Sequence, residues 1–357
     1  MGNTGLFAQW AAYDEATYGV APALTAAKYY AGSTDSLGLK KTPKQSKGIF
    51  AGAQFDKAAR RVGALEYSVT GAFNLDLPER GMQQWLYRML GSFGQSPATL
   101  TEDGSTGAYK AVHAPGFIDG HSFSLQKGVP GVDGTVVPMT YTGCKVQAWE
   151  LSAALSDIVK LALTIEGRNE LAFSHVDPLN GSVPSLASYT APAGNVFRWV
   201  GATMYVGGTP STTSGVTTLA SPTLAGNISG PMSVKYNRPL DLTRYSPDVA
   251  PYRNEPYQND VTAVTGATTV EFVSTETYYA AFQADTATAI EYQFETVGIG
   301  TGSDIATFSV LIPNIRIETA PLPISGPGIV KQAITWTGLD DGTNNPVQVT
   351  YVTLDAS

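Results

Sequence analysis

The stretch that decides the fold reads Leu65-Glu66-Tyr67-Ser68-Val69-Thr70-Gly71-Ala72-Phe73-Asn74-Leu75-Asp76-Leu77-Pro78-Glu79-Arg80-Gly81-Met82-Gln83-Gln84-Trp85-Leu86-Tyr87-Arg88-Met89-Leu90-Gly91. Two periods meet in it. Over residues 64–77, Leu65, Tyr67, Val69, Phe73, Leu75 and Leu77 fall on one face, and Glu66, Ser68, Thr70, Asn74 and Asp76 on the other. That is a strand with one buried and one wet side. Pro78 then suits a first helical position and Glu79 a helix N-terminus. Met82, Trp85, Leu86, Met89 and Leu90 recur at helical spacing as one apolar stripe, Arg88 sits in the last turn, and Gly91 is a stop signal. The spacing predicts a helix over about 78–90.

Outward from this unit, alternation dominates. Lys145–Gly167 reads as two strands, with Val159, Leu161, Leu163 and Ile165 alternating against Lys160, Ala162, Thr164 and Glu166. Further strands are expected at 196–206, 232–236, 269–273, 289–297, 305–317, 330–336 and 347–354, punctuated by Gly, Asn, Asp and Pro. A second, shorter helix is expected near Glu276–Ala284. The fold class is therefore mainly β with one flanking helix and long loops. Residues 1–61 read as an aromatic N-terminal arm and a long basic loop, and 62–357 as a β-rich domain. Within that domain 168–228, rich in Ser, Thr, Pro and Gly, reads as an insertion rather than a linker. No internal repeat is evident.

Composition narrows function. Of 357 residues 43% are hydrophobic and only 15% charged, against roughly 25% charged in an ordinary soluble chain. Such a surface is either small and polar or buried against neighbours. A net charge of −8 argues against gripping nucleic acid, which needs Lys and Arg on phosphates. The single cysteine, Cys144, excludes an intrachain disulfide. Met1 to Phe7 show neither the basic nor the apolar region of a signal peptide, and no apolar run nears the ~20 residues of a membrane span. Folding and assembly in a cytoplasm are expected.

Catalytic and metal patterns fail one by one. His113, His121 and His175 are the only histidines, with Asp119 the one obvious companion ligand. Gly298-Ile299-Gly300-Thr301-Gly302-Ser303-Asp304 invites a phosphate loop, but β-pattern lies on both sides and no Lys follows, so a hairpin turn is the simpler reading. Asp340–Asp341 reads as a turn that lacks the alternating ligands of an EF-hand. Glu291 and Glu295 form a carboxylate pair without evidence of a cleft. No catalytic residue, cofactor or metal is expected. Trp199 and Tyr205 suit a sugar platform and a core equally. Two features suggest contacts between copies. Phe7, Trp10, Tyr13 and Tyr18 fit either a stretch tucked onto its own domain or an arm docking on a neighbour. The run carrying Lys40, Lys41, Lys44 and Lys47 fits a loop that meets an acidic surface.

The order of these pieces resembles the phage tail tube family. The residues that carry the resemblance are Tyr13-Asp14-Glu15-Ala16-Thr17-Tyr18-Gly19; Val69 to Leu77 followed by Trp85 to Ser92; Tyr141-Thr142-Gly143-Cys144-Lys145-Val146 with Asp157-Ile158-Val159-Lys160-Leu161; Ser233 to Leu240; and Leu311-Ile312-Pro313-Asn314-Ile315-Arg316 with Gln332-Ala333-Ile334-Thr335-Trp336. The stretch 168–228 matches least. The resemblance implies a tail-tube-type β-sandwich or barrel that forms hexameric rings stacked into a hollow tube. It implies the chain itself, a tail terminator, a tape measure and distal tail proteins as partners, no membrane, and a lumen that passes genomic DNA without binding it. Residues 1–25 and 38–48 would bridge rings. An acidic strand face, with Glu291, Gln293 and Glu295 the foremost candidate, would line the lumen. Another virion β-protein (decoration, spike or capsid-associated) and a carbohydrate-binding β-domain are the alternatives.

Overall fold

A computed structural model describes residues 4–355, apart from 24–27, 50–51, 53, 64, 92–100, 103–105, 178, 180, 191, 226, 274–276, 302 and 325. Ser92, Gly302, Glu276 and the first three residues of the expected arm thus lie outside the described residues. The chain is mainly β. Its principal strands are β1 (Gln9–Glu15), β2 (Tyr67–Asp76), β3 (Ser122–Pro130), β4 (Val136–Ala153), β5 (Lys160–Gly167), β6 (Ile228–Asn237), β7 (Ala263–Glu271), β8 (Thr288–Gly298), β9 (Ile305–Thr319), β10 (Lys331–Gly338) and β11 (Gln348–Thr353). Two helices, α1 (Met82–Leu90) and α2 (Thr277–Ala284), interrupt them.

All named pairings are antiparallel. The larger layer runs β2, β5, β4, β6, β7, β10, β9. The first part of β9 is flanked by β8 and β11. The smaller layer is built from Lys28–Tyr30, β1, β3, β4 and Asn169–Leu171. Strand β4 belongs to both: its first half pairs with β3 and its second with β5 and β6. The change of partner occurs at Gly143, whose φ of 63° suits glycine. A Cβ there would lie 2.7 Å from Arg168 Cβ and 2.9 Å from the Tyr18 ring.

Helix α1 closes the gap between the layers. Trp85 is fully buried, with ring centroids 5.6 Å from Phe73 of β2, 5.5 Å from Phe123 of β3 and 5.2 Å from Tyr30. The whole predicted stripe, Met82, Trp85, Leu86, Met89 and Leu90, is buried. Arg88 is also buried; its guanidinium lies over Trp85 and Phe123 and donates to Asp14 at 2.7 Å.

The structure corrects several expectations. Helix α1 starts at Met82, not Pro78. Pro78 bridges Val196, Glu79 N–H donates to Asn195 O, and Phe197 N–H to Leu77 O, so a distant segment holds this backbone extended. The residue before the helix, Gly81, has φ +81°. The expected strand at 196–206 is regular only over Ala202–Val206, after a 3-10 turn at Trp199–Gly201. Within residues 1–61, β1 pairs with β3 over its full length. Described residues of 168–228 meet the domain at several points. Ser185 and Ala187 are bound by Gln126 on the smaller layer, residues 195–197 cross to Leu77 and Val159, and Ala202–Val206 pairs with β8.

Two stability outcomes follow. The buried Glu15 carboxylate accepts from Gly19 N, Gly143 N, Ser122 Oγ and Ser124 Oγ at 2.6–2.9 Å. Glu15→Leu orphans these donors and should cost about 3–5 kcal/mol, read from urea midpoints; a loss below about 1 kcal/mol contradicts this role. His113 is buried, and burial holds its imidazole down to about 4. Its folded pKa lies below the unfolded value, so its contribution is present above pH ~6.5 and is lost as pH falls toward 4, by about 3 kcal/mol. The stability loss between pH 7 and 4 should be smaller by that amount in His113→Leu; equal losses in the two proteins refute the assignment.

Candidate assembly interface

The residues that suggested chemistry are not brought together. His113 lies in the strand Tyr109–His113, His121 Nδ1 is 2.6 Å from Tyr87 Oη, and His175 Nε2 is 2.9 Å from Asn169 Oδ1. Among the described residues no group of three His, Cys, Asp or Glu could hold a metal. Cys144 is buried, and burial pushes its thiol up. The stretch Gly298 to Asp304 is a turn joining β8 to β9, with Ile299 N–H donating to Asp304 O at 2.7 Å. The Asp341 carboxylate accepts from Thr343 N, Asn344 N and Asn344 Nδ2, which holds it below its usual range and closes its own turn. Trp199 sits in the 3-10 turn, separate from the strand that holds Tyr205.

The four arm aromatics divide. Phe7 is 58% exposed. Trp10 packs on Phe73 and donates to Asp35 at 3.4 Å. Tyr13 is buried, and Tyr18 lies against Gly143. Tyr13 lies in the buried run Ala11–Tyr13 of β1, whereas Leu6 and Phe7 are exposed and open to a neighbour.

The basic run begins a larger feature. Lys40 and Lys41 end the short strand Gly38–Lys41, which pairs with β2. From there residues 42–66 leave the domain as a tongue and return at Tyr67. Lys44 pairs with Val62 and Gln45 with Arg61. Gln45 Nε2 donates to Lys57 O at 3.0 Å, and Lys47 pairs with Asp56 at 2.7 Å across the neck. All described residues of 40–66 except Gln45 are exposed. This segment holds seven basic and two acidic side chains in a chain of net −8. Beyond the neck, residues 48–55 carry no charge, and Ile49 and Phe55 are 100% and 85% exposed.

The root of the tongue is braced. Tyr67 N–H donates to Pro251 O at 2.6 Å, and Tyr245 Oη donates to Tyr67 O at 3.1 Å. The Tyr67 ring meets Tyr252 and His175 edge-on, with Lys41 above it at 5.2 Å. Beneath lies a buried pair, Arg253–Glu166 at 3.2 Å, with Thr70 donating to the same carboxylate at 2.6 Å. The sequence offered one signal for this tip that was not used: an uncharged apolar octet inside the most basic segment of the chain.

Glu291, Gln293 and Glu295 share one face of β8, while Ile290, Tyr292 and Phe294 point into the core. All three are half-buried, and Gln293 donates to Glu295 at 2.6 Å. Burial pushes the Glu291 carboxyl up against the pull of Ser309 and Lys110. The outer face of the larger layer differs. Ser152, Ser233, Ala267 and Thr335 align across it, and it carries ion pairs: Lys160 with Asp157 at 2.8 Å, with Asp76 opposite the same lysine, Lys235 with Glu150 at 3.2 Å, and Glu271 opposite Lys331.

A family model described as phage tail tube protein matches residues 8–338, from β1 to the end of β10 and including 168–228. Among solved structures, one described as the crystal structure of Hcp protein is 14% identical, covers 38% of this chain and 86% of its own, and has a TM-score of 0.22. No curated protein matches the chain. With nine-tenths of its length matched, the chain belongs to the phage tail tube protein family and is a structural component of a phage tail.

Proposed function

We propose that the chain closes into hexameric rings that stack into a hollow tube, assembled in the host cytoplasm, through which genomic DNA passes during ejection. The observation that carries this reading is the tongue 42–66. It is a cationic, braced projection with an uncharged tip whose Ile49 and Phe55 are exposed, which suits a contact between copies in a family of tube proteins. Rings need heterologous contacts that close, and stacking needs a second contact along the axis. The tongue supplies the second, assisted by the segment up to Phe7. A tail terminator, a tape measure and distal tail proteins would meet the ends and the interior of such a tube.

The wall that faces DNA is assigned to the face of Glu291, Gln293 and Glu295. This face carries two carboxylates, Glu291 and Glu295, with Lys110 the cation acting on Glu291. A net negative wall repels phosphates and prevents the counterion release on which non-specific binding rests. The chain has no catalytic role in this reading.

Two experiments test it. Replacing residues 46–60 with a two-residue Asn-Gly turn should leave the domain folded, with stability changed by less than about 1 kcal/mol, yet abolish tubes in negative-stain microscopy. Normal tubes from this variant overturn the role of the tongue. The double variant Gln293→Lys, Glu295→Lys should still form tubes but slow DNA ejection from reconstituted particles; unchanged ejection removes this face from the lumen.

A further inference from the structure

The tongue and an uncharged groove lie at opposite ends of the larger layer. Strand β2 runs from Tyr67, at the root of the tongue, to Asp76. Asp76 aligns with Lys160 of β5, then Ser152 of β4, Ser233 of β6 and Ala267 of β7. Beyond Ser233, at the Asp76 end, lie Met232 and Ile228. Trp199 is at the same end, since its N–H donates to Asp157 O beside Lys160. These three residues, with Val200 and Leu224, line a groove of about 270 Å³. At ~3.3 Å per residue, the ten residues of β2 separate groove and root by about 30 Å.

The groove carries no charged side chain, and its lips are exposed apolar residues, Val200 at 83% and Leu224 at 60%. Two other open grooves have charged linings, one with Lys40, Glu66, Glu166 and Arg253, the other with Glu79 and Arg80. An apolar tip seated in either would strip water from those charges without pairing them. The tip of the tongue matches the uncharged groove in chemistry. It also matches in size, since a cavity of about 150 Å³ holds a benzene ring, and a volume of about 270 Å³ therefore takes the Phe55 ring with room for Ile49.

We propose that the tongue tip of one copy, through Ile49 and Phe55, seats in the groove of Trp199, Val200, Leu224, Ile228 and Met232 on a second copy. Because the two surfaces lie at opposite ends, they join copies head to tail, and each copy both gives and receives. This rests on the tube reading and specifies its axial contact. The tongue reaches far enough, since each limb holds about a dozen residues and spans at most roughly 40 Å when extended.

The test is a disulfide ladder in the full-length protein. Cys144 is buried, so cysteines introduced at the exposed Gln54 and Thr223 report contact while leaving the apolar residues intact. Tubes of the chain carrying both Gln54→Cys and Thr223→Cys, mildly oxidised, should give dimers, trimers and higher multimers on a non-reducing gel. A mixture of the two single variants should stop at dimers. Gln54→Cys combined with Thr243→Cys, at the tongue end, should give no ladder. In addition, Val200→Glu should slow tube growth at least tenfold, roughly the effect of 1.4 kcal/mol, with an unchanged circular dichroism spectrum. Tubes without the Gln54–Thr223 ladder, or a ladder from the Thr243 pair, overturn the inference and leave the tube reading standing. Absence of tubes from the unsubstituted chain overturns both.

Discussion

One backbone, β4, must serve two sheets, and it can do so only where its ladder is interrupted. At Gly143 the strand leaves one set of partners and takes up another, and the freed amide is claimed by the buried Glu15 carboxylate. The same carboxylate accepts from Gly19 and two serines of β3. A buried acid is costly unless its lone pairs are filled, and here four donors fill them. The two layers, the N-terminal strand and the start of the following loop are thereby fixed relative to one another by one side chain. Helix α1 completes the joint from the other side, with Trp85 touching aromatic rings of both layers.

From that joint the rigid region extends to the root of the tongue. Arg253–Glu166 and Arg168–Asp177 are buried ion pairs between separate loops and β5. Such pairs rarely add much net stability, because desolvation offsets their attraction. What they do here is locate the 240–256 loop, which then holds Tyr67 by backbone and ring contacts. A projection meant to find a partner loses less entropy on docking when its base is already fixed.

Much of this was legible in the sequence because the responsible forces are local. Alternation located β2, β5, β8 and β9, and the Met82–Leu90 stripe located α1 with every one of its five residues buried. The start of α1 was not legible, because Pro78 and Glu79 are held extended by residues about 117 positions later. Tyr13 and Phe7 look alike in the sequence, yet one is core and the other exposed, since only pairing with β3 decides which way β1 faces. The exposed features were only half legible. The lysines pointed to the tongue. Its apolar tip and the distant groove were hidden, because exposure is a property of the folded chain and a groove draws on residues from several elements.

The placement of the tongue at one end of β2 and of Asp76 at the other gives the molecule a direction. A column built head to tail from it, as proposed, would be vectorial, with two unlike faces. One bristles with lysine and arginine, while the other offers bare valine and leucine to water. Salt acts strongly on the first, since its charges are exposed and screened over about 10 Å at 0.1 M, and hardly on the second. In the head-to-tail arrangement proposed above, whatever capped the two faces would differ in kind, a polyanionic surface for one and a greasy plug for the other, so the polarity of such a column would follow from a single strand.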